Sequence, residues 1–152
     1  MIIDLRALLR RGLTEQSFDF EFSVGDELCL LPGGRFDGQA EVSCTVEIPS
    51  EDKTFVFGSI RYRVSAECSR CLAPVSFERV VEFDETFVDS KSGNANPDCY
   101  VYSNDKIDLT EMVEQTILTD MPYAVLCKED CKGLCPECGH NLNDGDCGCE
   151  IL

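Results

Sequence analysis

The sequence holds one histidine, few cations and no long apolar run, and each shortage removes a class of function. His140 is the lone imidazole among 152 residues, and it lies in a cysteine-rich loop. A Ser–His–acid or Cys–His triad would have to be built on it there, a poor place for a general base. His140 reads as an exposed loop residue or a spare ligand. Neither a P-loop nor a dinucleotide-binding glycine pattern occurs. Apolar runs stop well short of the roughly 18 residues that a membrane-crossing helix needs. The opening residues, MIIDLRALLRRGL, are interrupted by Asp4 and Arg6. That leaves no signal-peptide core, so a reducing, cytoplasmic setting is expected. Lys and Arg number 13 against 29 Asp and Glu, a formal charge of −16. A surface this acidic repels phosphate backbones and steers toward basic partners.

What the chain has in excess is cysteine, 11 in all. Six fall between Cys127 and Cys149 as C-x3-C-x3-C-x2-C-x8-C-x-C, and Cys68 and Cys71 form a separate C-x2-C in ECSRCLAP. The fragment Cys135-Pro136-Glu137-Cys138-Gly139 turns tightly enough to aim both sulfurs and the adjacent N–H groups at one ion. Eight paired cysteines make two sets of four, and four thiolates close a structural zinc site. Disulfides lack an oxidising compartment. Cys131, Cys135 and Cys138 also read as the C-x3-C-x2-C of a radical-SAM cluster, but that chemistry needs a large barrel, and 14 residues follow Cys138. A thioredoxin-like pair opens a helix, whereas Cys68 and Cys71 follow a strand-like run.

Two zinc ions are therefore expected, held by Cys68, Cys71, Cys127, Cys131, Cys135, Cys138, Cys147 and Cys149. In one pairing Cys135, Cys138, Cys147 and Cys149 close one site while Cys68 and Cys71 take Cys127 and Cys131. In the other, Cys68 and Cys71 share an ion with Cys135 and Cys138. Each four-thiolate site adds a charge of about −2, which Lys128 and Lys132 would offset. Eight ligands in two closed sets leave no open position for catalysis by zinc. The remaining Cys29, Cys44 and Cys99 lie in apolar, strand-like surroundings and are expected as buried thiols.

Period-two alternation dominates the rest. Phe18, Phe20, Phe22 and Val24 alternate with Asp19, Glu21 and Ser23, and a strand is expected from Ser17. A second is expected over Glu27–Leu31, followed by a turn in LPGGRFDG. Ala40, Val42, Cys44, Val46 and Ile48 share one strand face, and Ile60, Tyr62, Val64 and Ala66 another in Thr54–Glu67, with PSEDK as the hairpin turn. Val75–Val88 continues the pattern, SKSGNANP is a loop, and Asp98–Ser103 is a short strand. Residues 1–13 read as a short strand and one helical turn. One main helix is expected over about residues 108–121, with Asp108 as N-cap, Glu111 completing a capping box and Pro122 ending it. The fold class expected is α+β: a predominantly antiparallel sheet or small barrel with one main helix over residues 1–126, then a cysteine-rich tail over residues 127–152.

CSRCLAPV (Cys68–Val75), IDLTEMVEQTILTDMP (Ile107–Pro122) and CKGLCPECGHNLN (Cys131–Asn143), in that order, resemble the YceD family of bacterial and plastid proteins. The resemblance implies a part in the accumulation and processing of 23S ribosomal RNA, and it carries no catalytic activity. With the charge, it implies a non-enzymatic ribosome-biogenesis factor that binds a basic ribosomal protein or a precursor particle. Two other readings are open from the sequence. One is direct RNA binding through Arg61, Arg63 and Arg70, with Tyr62 or the knuckle as a stacking surface. The other is a thiol-redox or metal-handling protein.

Overall fold

The computed structural model describes residues 1–150. β1 (Ile2–Asp4) runs into α1 (Leu5–Arg10), and β2 (Glu15–Phe22), β3 (Arg35–Phe36), β4 (Ala40–Ser50), β5 (Lys53–Glu67), β6 (Pro74–Asp89), β7 (Tyr100–Tyr102) and β8 (Lys106–Asp108) lead to α2 (Thr110–Asp120). β2, β4, β5, β6 and β7 lie side by side in that order, β3 adds to β5, and β1 pairs separately with β8. All pairings are antiparallel except β6 with β7. The sheet is open rather than a closed barrel, with β2 and β7 at its ends.

The alternation read from the sequence is the reason for this arrangement. The inward set of β4 is Ala40, Val42, Cys44, Val46 and Ile48, and that of β5 includes Val56, Ile60, Tyr62, Val64 and Ala66. Register places Val42 beside Ile60 and Val46 beside Val56, so branched side chains meet across the hairpin. Met112, Val113 and Ile117 of α2 and Leu5 and Leu8 of α1 join the same core cluster. Both helices therefore cover one face of the sheet and leave the other to solvent. Cys44 belongs to that core, and burial pushes its thiol up to about 11. Gly58 sits opposite Cys44 where the backbones approach closely: a Cβ there would run into Ser43 O and lie 2.7 Å from Cys44 Cα.

Several expectations need correction. Glu27–Leu31 is not a strand: Asp26–Leu28 is a 3-10 turn, because the Asp26 carboxylate accepts the Phe36 N–H at 2.9 Å and turns the segment toward β3. LPGGRFDG is not wholly a turn, since Arg35 and Phe36 pair with Ser65 and Val64. Asp108 is not the N-cap: its backbone is used in β8, opposite Ile2, and α2 starts at Thr110. Its carboxylate still accepts the Thr110 N–H at 3.0 Å. Glu111 makes no capping box but accepts from Gln115 Nε2 at 3.2 Å. Cys29 and Cys99 are half-buried rather than buried.

Candidate metal centre

The turn between β5 and β6 and the segment after α2 converge at one end of the sheet. Cys68 directly follows the long alternating strand β5, and its N–H donates to Ala73 O at 2.8 Å, closing the turn that carries Cys71. Ser69 N–H donates to Val125 O at 2.8 Å, and Val125 N–H donates back to Ser69 Oγ at 3.2 Å. These bonds bring Cys127 and Cys131 to Cys68 and Cys71. Cys68 Sγ lies 3.7 Å from Cys131 Sγ, and Cys71 Sγ lies 3.5 Å from Cys127 Sγ. Metal–sulfur bonds of about 2.3 Å at tetrahedral angles place sulfurs about 3.8 Å apart.

The second group forms within the tail. Leu134 and Asn141 bridge antiparallel, and Cys135 N–H donates to His140 O at 2.8 Å. That hairpin presents Cys135 and Cys138 to Cys147 and Cys149. Within each group the four sulfurs lie within 4.8 Å of one another. The pairing is thus Cys68, Cys71, Cys127 and Cys131 in one group, and Cys135, Cys138, Cys147 and Cys149 in the other. Each group could hold one metal ion, and four converging sulfur donors suit a closed tetrahedral site.

The two C-x2-C turns are built alike. Leu72 N–H donates to Cys68 O at 3.0 Å, and Gly139 N–H donates to Cys135 O at 2.9 Å. Both residues are left-handed, with φ of 62° at Leu72 and 74° at Gly139. That conformation is easy for glycine and strained for leucine. Backbone N–H groups aimed at the first sulfur of each turn favour thiolate. Cys68 is lowered to about 6, chiefly by the Cys71 backbone, and Cys135 to about 6, chiefly by that of Cys138. With no cation, four thiols cannot all ionise. Cys127 and Cys149 are accordingly pushed up to about 12, chiefly by their thiol neighbours Cys71 and Cys138.

Asn143 joins the two groups, and sequence reasoning missed it. Its Nδ2 donates to Cys131 Sγ at 3.3 Å and to Asn141 Oδ1 at 2.9 Å, while its Oδ1 accepts Lys132 N–H at 2.9 Å. This contact holds the Cys131 thiol below its usual value. The signal in the sequence was the Asn-Leu-Asn run between Cys138 and Cys147, which reads only as a turn until its neighbour is known.

The three arginines are engaged with the protein itself. Arg63 Nε donates to Glu78 Oε2 at 2.7 Å, and Arg61 lies 3.9 Å from both Glu41 and Glu78. Arg70 Nη1 donates to Cys131 O at 2.9 Å, clasping the loop of the first cysteine group. His140 is exposed, and its ring belongs to neither cysteine group.

Comparison with known proteins follows the same residues. Residues 56–151 match the family model described as large ribosomal RNA subunit accumulation protein YceD. An uncharacterized protein of Mycobacterium tuberculosis is 30% identical over 147 residues, covering 91% of this chain and 69% of its own length. One from Mycobacterium leprae is 30% identical over 123 residues, covering 78% and 55%. The uncharacterized protein YlbN of Bacillus subtilis is 28% identical over 131 residues, covering 84% and 76%. No solved structure matches. The family match spans β5 and β6, α2 and both cysteine groups, and on it the chain belongs to the YceD family.

Proposed function

We propose that this protein is a non-enzymatic factor of large-subunit ribosome biogenesis in the cytoplasm. It supports 23S rRNA processing or accumulation by holding a basic ribosomal protein, or a protein-rich face of a precursor particle. The description of the family supports the ribosomal link. The observation that carries the choice of a protein partner over bare RNA is charge. The chain has a formal −16, and Arg61 and Arg63 lie against Glu78. Affinity for RNA comes largely from cations that neutralise phosphates, and a cation already paired with a carboxylate contributes little to that.

Zinc is the metal this reading assigns to both groups. Four sulfurs with no oxygen or imidazole donor favour zinc over harder cations. The ion's work is structural: it closes the turn after β5 onto the segment after α2 and shapes the tail. Closed four-sulfur sites hold no position for substrate, which supports a binding role over an enzymatic one.

The test is sedimentation and direct binding. Zinc-replete protein is expected to migrate with large-subunit precursor particles and to bind RNA-free basic proteins extracted from the large subunit. Elemental analysis is expected to find two zinc ions per chain. Salt-dependent binding to 23S rRNA fragments with no binding to those proteins would overturn the reading in favour of direct RNA recognition. Rapidly exchangeable metal, or thiols that react at once in the metal-loaded protein, would favour a redox or metal-handling role.

A further inference from the structure

The uncovered face of the sheet carries charge that the protein does not balance. Both helices bury their apolar side chains in the core cluster on the opposite side. On the uncovered side, register sets Glu15 directly across from Glu47 and Glu21 across from Glu41. Like charges directly opposed on neighbouring strands destabilise a sheet, by roughly 0.2–1 kcal/mol a pair. Asp19 accepts Ser43 Oγ at 2.7 Å, which holds it upright rather than neutralising it. Glu82 and Asp84 stand two apart on β6 and face Ser59 and Phe57 of β5. Among the described residues, Glu15, Asp19, Glu21, Glu47, Glu82 and Asp84 have no cationic group within 4.0 Å. Among the described residues, the ion pairs on this face gather at one end, where Glu41 and Glu78 meet Arg61 and Arg63 and Arg35 meets Asp37.

The same face has an apolar foothold. Phe57 is 38% exposed and Val80 is 54% exposed. Beside Phe57 lies an open trough of about 530 Å³ lined by Ser43, Ser59, Glu82 and Asp84. A solvated sheet face ordinarily mixes charges of both signs. Here acids of β2, β4 and β6 surround an exposed aromatic, and the cations of the face stand at its two ends, with Lys53 over the Phe55 ring at one and Arg61 and Arg63 toward the other.

Resting on the reading of this protein as a holder of basic ribosomal proteins, we propose that this face is where the partner docks. The occupant is an extended or helical segment of a basic protein. Its Lys and Arg side chains lie among Asp19, Glu47, Glu82 and Asp84, and an apolar side chain packs on Phe57 in the trough. The argument is complementarity. An incoming cation offsets repulsion that the sheet otherwise bears, and its long-range attraction to so acidic a face speeds association.

The test uses the full, zinc-loaded chain and individually purified, RNA-free basic proteins of the large subunit as probes. A face variant carries Phe57→Ser, Glu82→Gln and Asp84→Asn. A control variant removes the same charge elsewhere, with Asp98→Asn and Glu129→Gln. The face variant is expected to lose about tenfold or more in affinity for the bound probe, and the control less than about twofold. Separately, Glu47→Gln is expected to raise the midpoint of urea unfolding, because it removes a like-charge pair. Equal losses in the face variant and the control variant, or a lowered midpoint in Glu47→Gln, would overturn the docking face while leaving the partner class intact. Binding of rRNA alone by the unmodified chain, with no protein probe retained, would overturn the functional reading itself and this inference with it.

Discussion

Removing the Asp120 carboxylate should loosen the joint between α2 and the sheet by an amount that can be apportioned. Tyr62 is 2% exposed, and its hydroxyl donates to Asp120 Oδ2 at 2.7 Å. Arg79 Nη2 donates to Oδ1 at 2.8 Å and its Nε to Oδ2 at 3.1 Å. A buried hydroxyl bonded to a charged group contributes about 1.5–3 kcal/mol. The Arg79 side chain is 44% exposed, so solvent screening limits its pair with Asp120 to about 0.5–1 kcal/mol. Tyr62→Phe should therefore cost about 2 kcal/mol, Arg79→Met under about 1, and Asp120→Ala about 3, because it strands the Tyr62 hydroxyl. The double-mutant cycle of Tyr62→Phe with Asp120→Ala should give a coupling of at least about 1 kcal/mol. The pH dependence has a definite sign. Arg79, then Tyr62, hold the Asp120 carboxyl below its usual value. A depressed folded value stabilises above the unfolded pKa of about 3.9 and loses that contribution as pH falls through the lower folded value. The gap between the parent and Asp120→Asn should be widest near neutrality and shrink below about pH 4. The assay is urea unfolding at fixed free zinc, taken as a difference so that acid release of metal cancels. A cost below about 0.5 kcal/mol for both Tyr62→Phe and Asp120→Ala, or no coupling, would refute this account of the joint.

Three further outcomes follow from the geometry. Cys138→Ser should release one of two metal ions and loosen the tail while circular dichroism of the sheet stays unchanged; unfolding of the whole chain would show that the tail is not separable. Asn143→Leu removes the donor to Cys131 Sγ and should weaken metal retention at the first group by about tenfold against a competing chelator, since outer contacts of this kind typically alter affinity 10- to 100-fold. Gly58→Ala should destabilise by about 3 kcal/mol because its methyl meets β4 backbone, whereas Gly139→Ala, whose methyl meets nothing within 4 Å, should cost only about 1 for its left-handed φ.

The parts of this protein legible in its sequence are those set by local pattern. β4 and β5 are long, half-buried strands, so their alternation survives in Ala40–Ile48 and Ile60–Ala66 with no other information. The cysteine sets are legible because each C-x2-C aims both sulfurs at one point, although spacing alone left two pairings open. What closes that choice is non-local: the hydrogen bonds between Ser69 and Val125 bring Cys127 and Cys131 to the turn after β5. The start of α2 misled for a related reason. Asp108 has the chemistry of an N-cap, but β1 captures its backbone, and Leu109 N–H donates to Met1 O at 2.9 Å. The arginines on β5 look like a basic stripe until register brings Glu78 across from Arg63. Charge balance on a sheet face is a property of register, which the sequence of one strand does not contain.

With a metal ion in each, the two cysteine groups would contribute unequally to the fold for a reason of chain length. In the first group the facing sulfur pairs lie 63 and 56 residues apart in sequence. A cross-link over such a span removes chain entropy worth about 4 kcal/mol from the unfolded state, by the relation used for disulfides. The second group draws its ligands from Cys135 to Cys149, and a loop that short is worth about 3 kcal/mol. That smaller sum acts on the tail, which meets the first group through Asn143 and Leu134. The first group instead ties the end of the longest hairpin to the chain leaving α2, so its stabilisation acts on the sheet. Stabilisation of that size outweighs the roughly 0.2–1 kcal/mol that each opposed acid pair costs on the uncovered face. With that ion in place the sheet could keep an unbalanced acidic surface without losing its fold, as the docking of a basic segment proposed above requires.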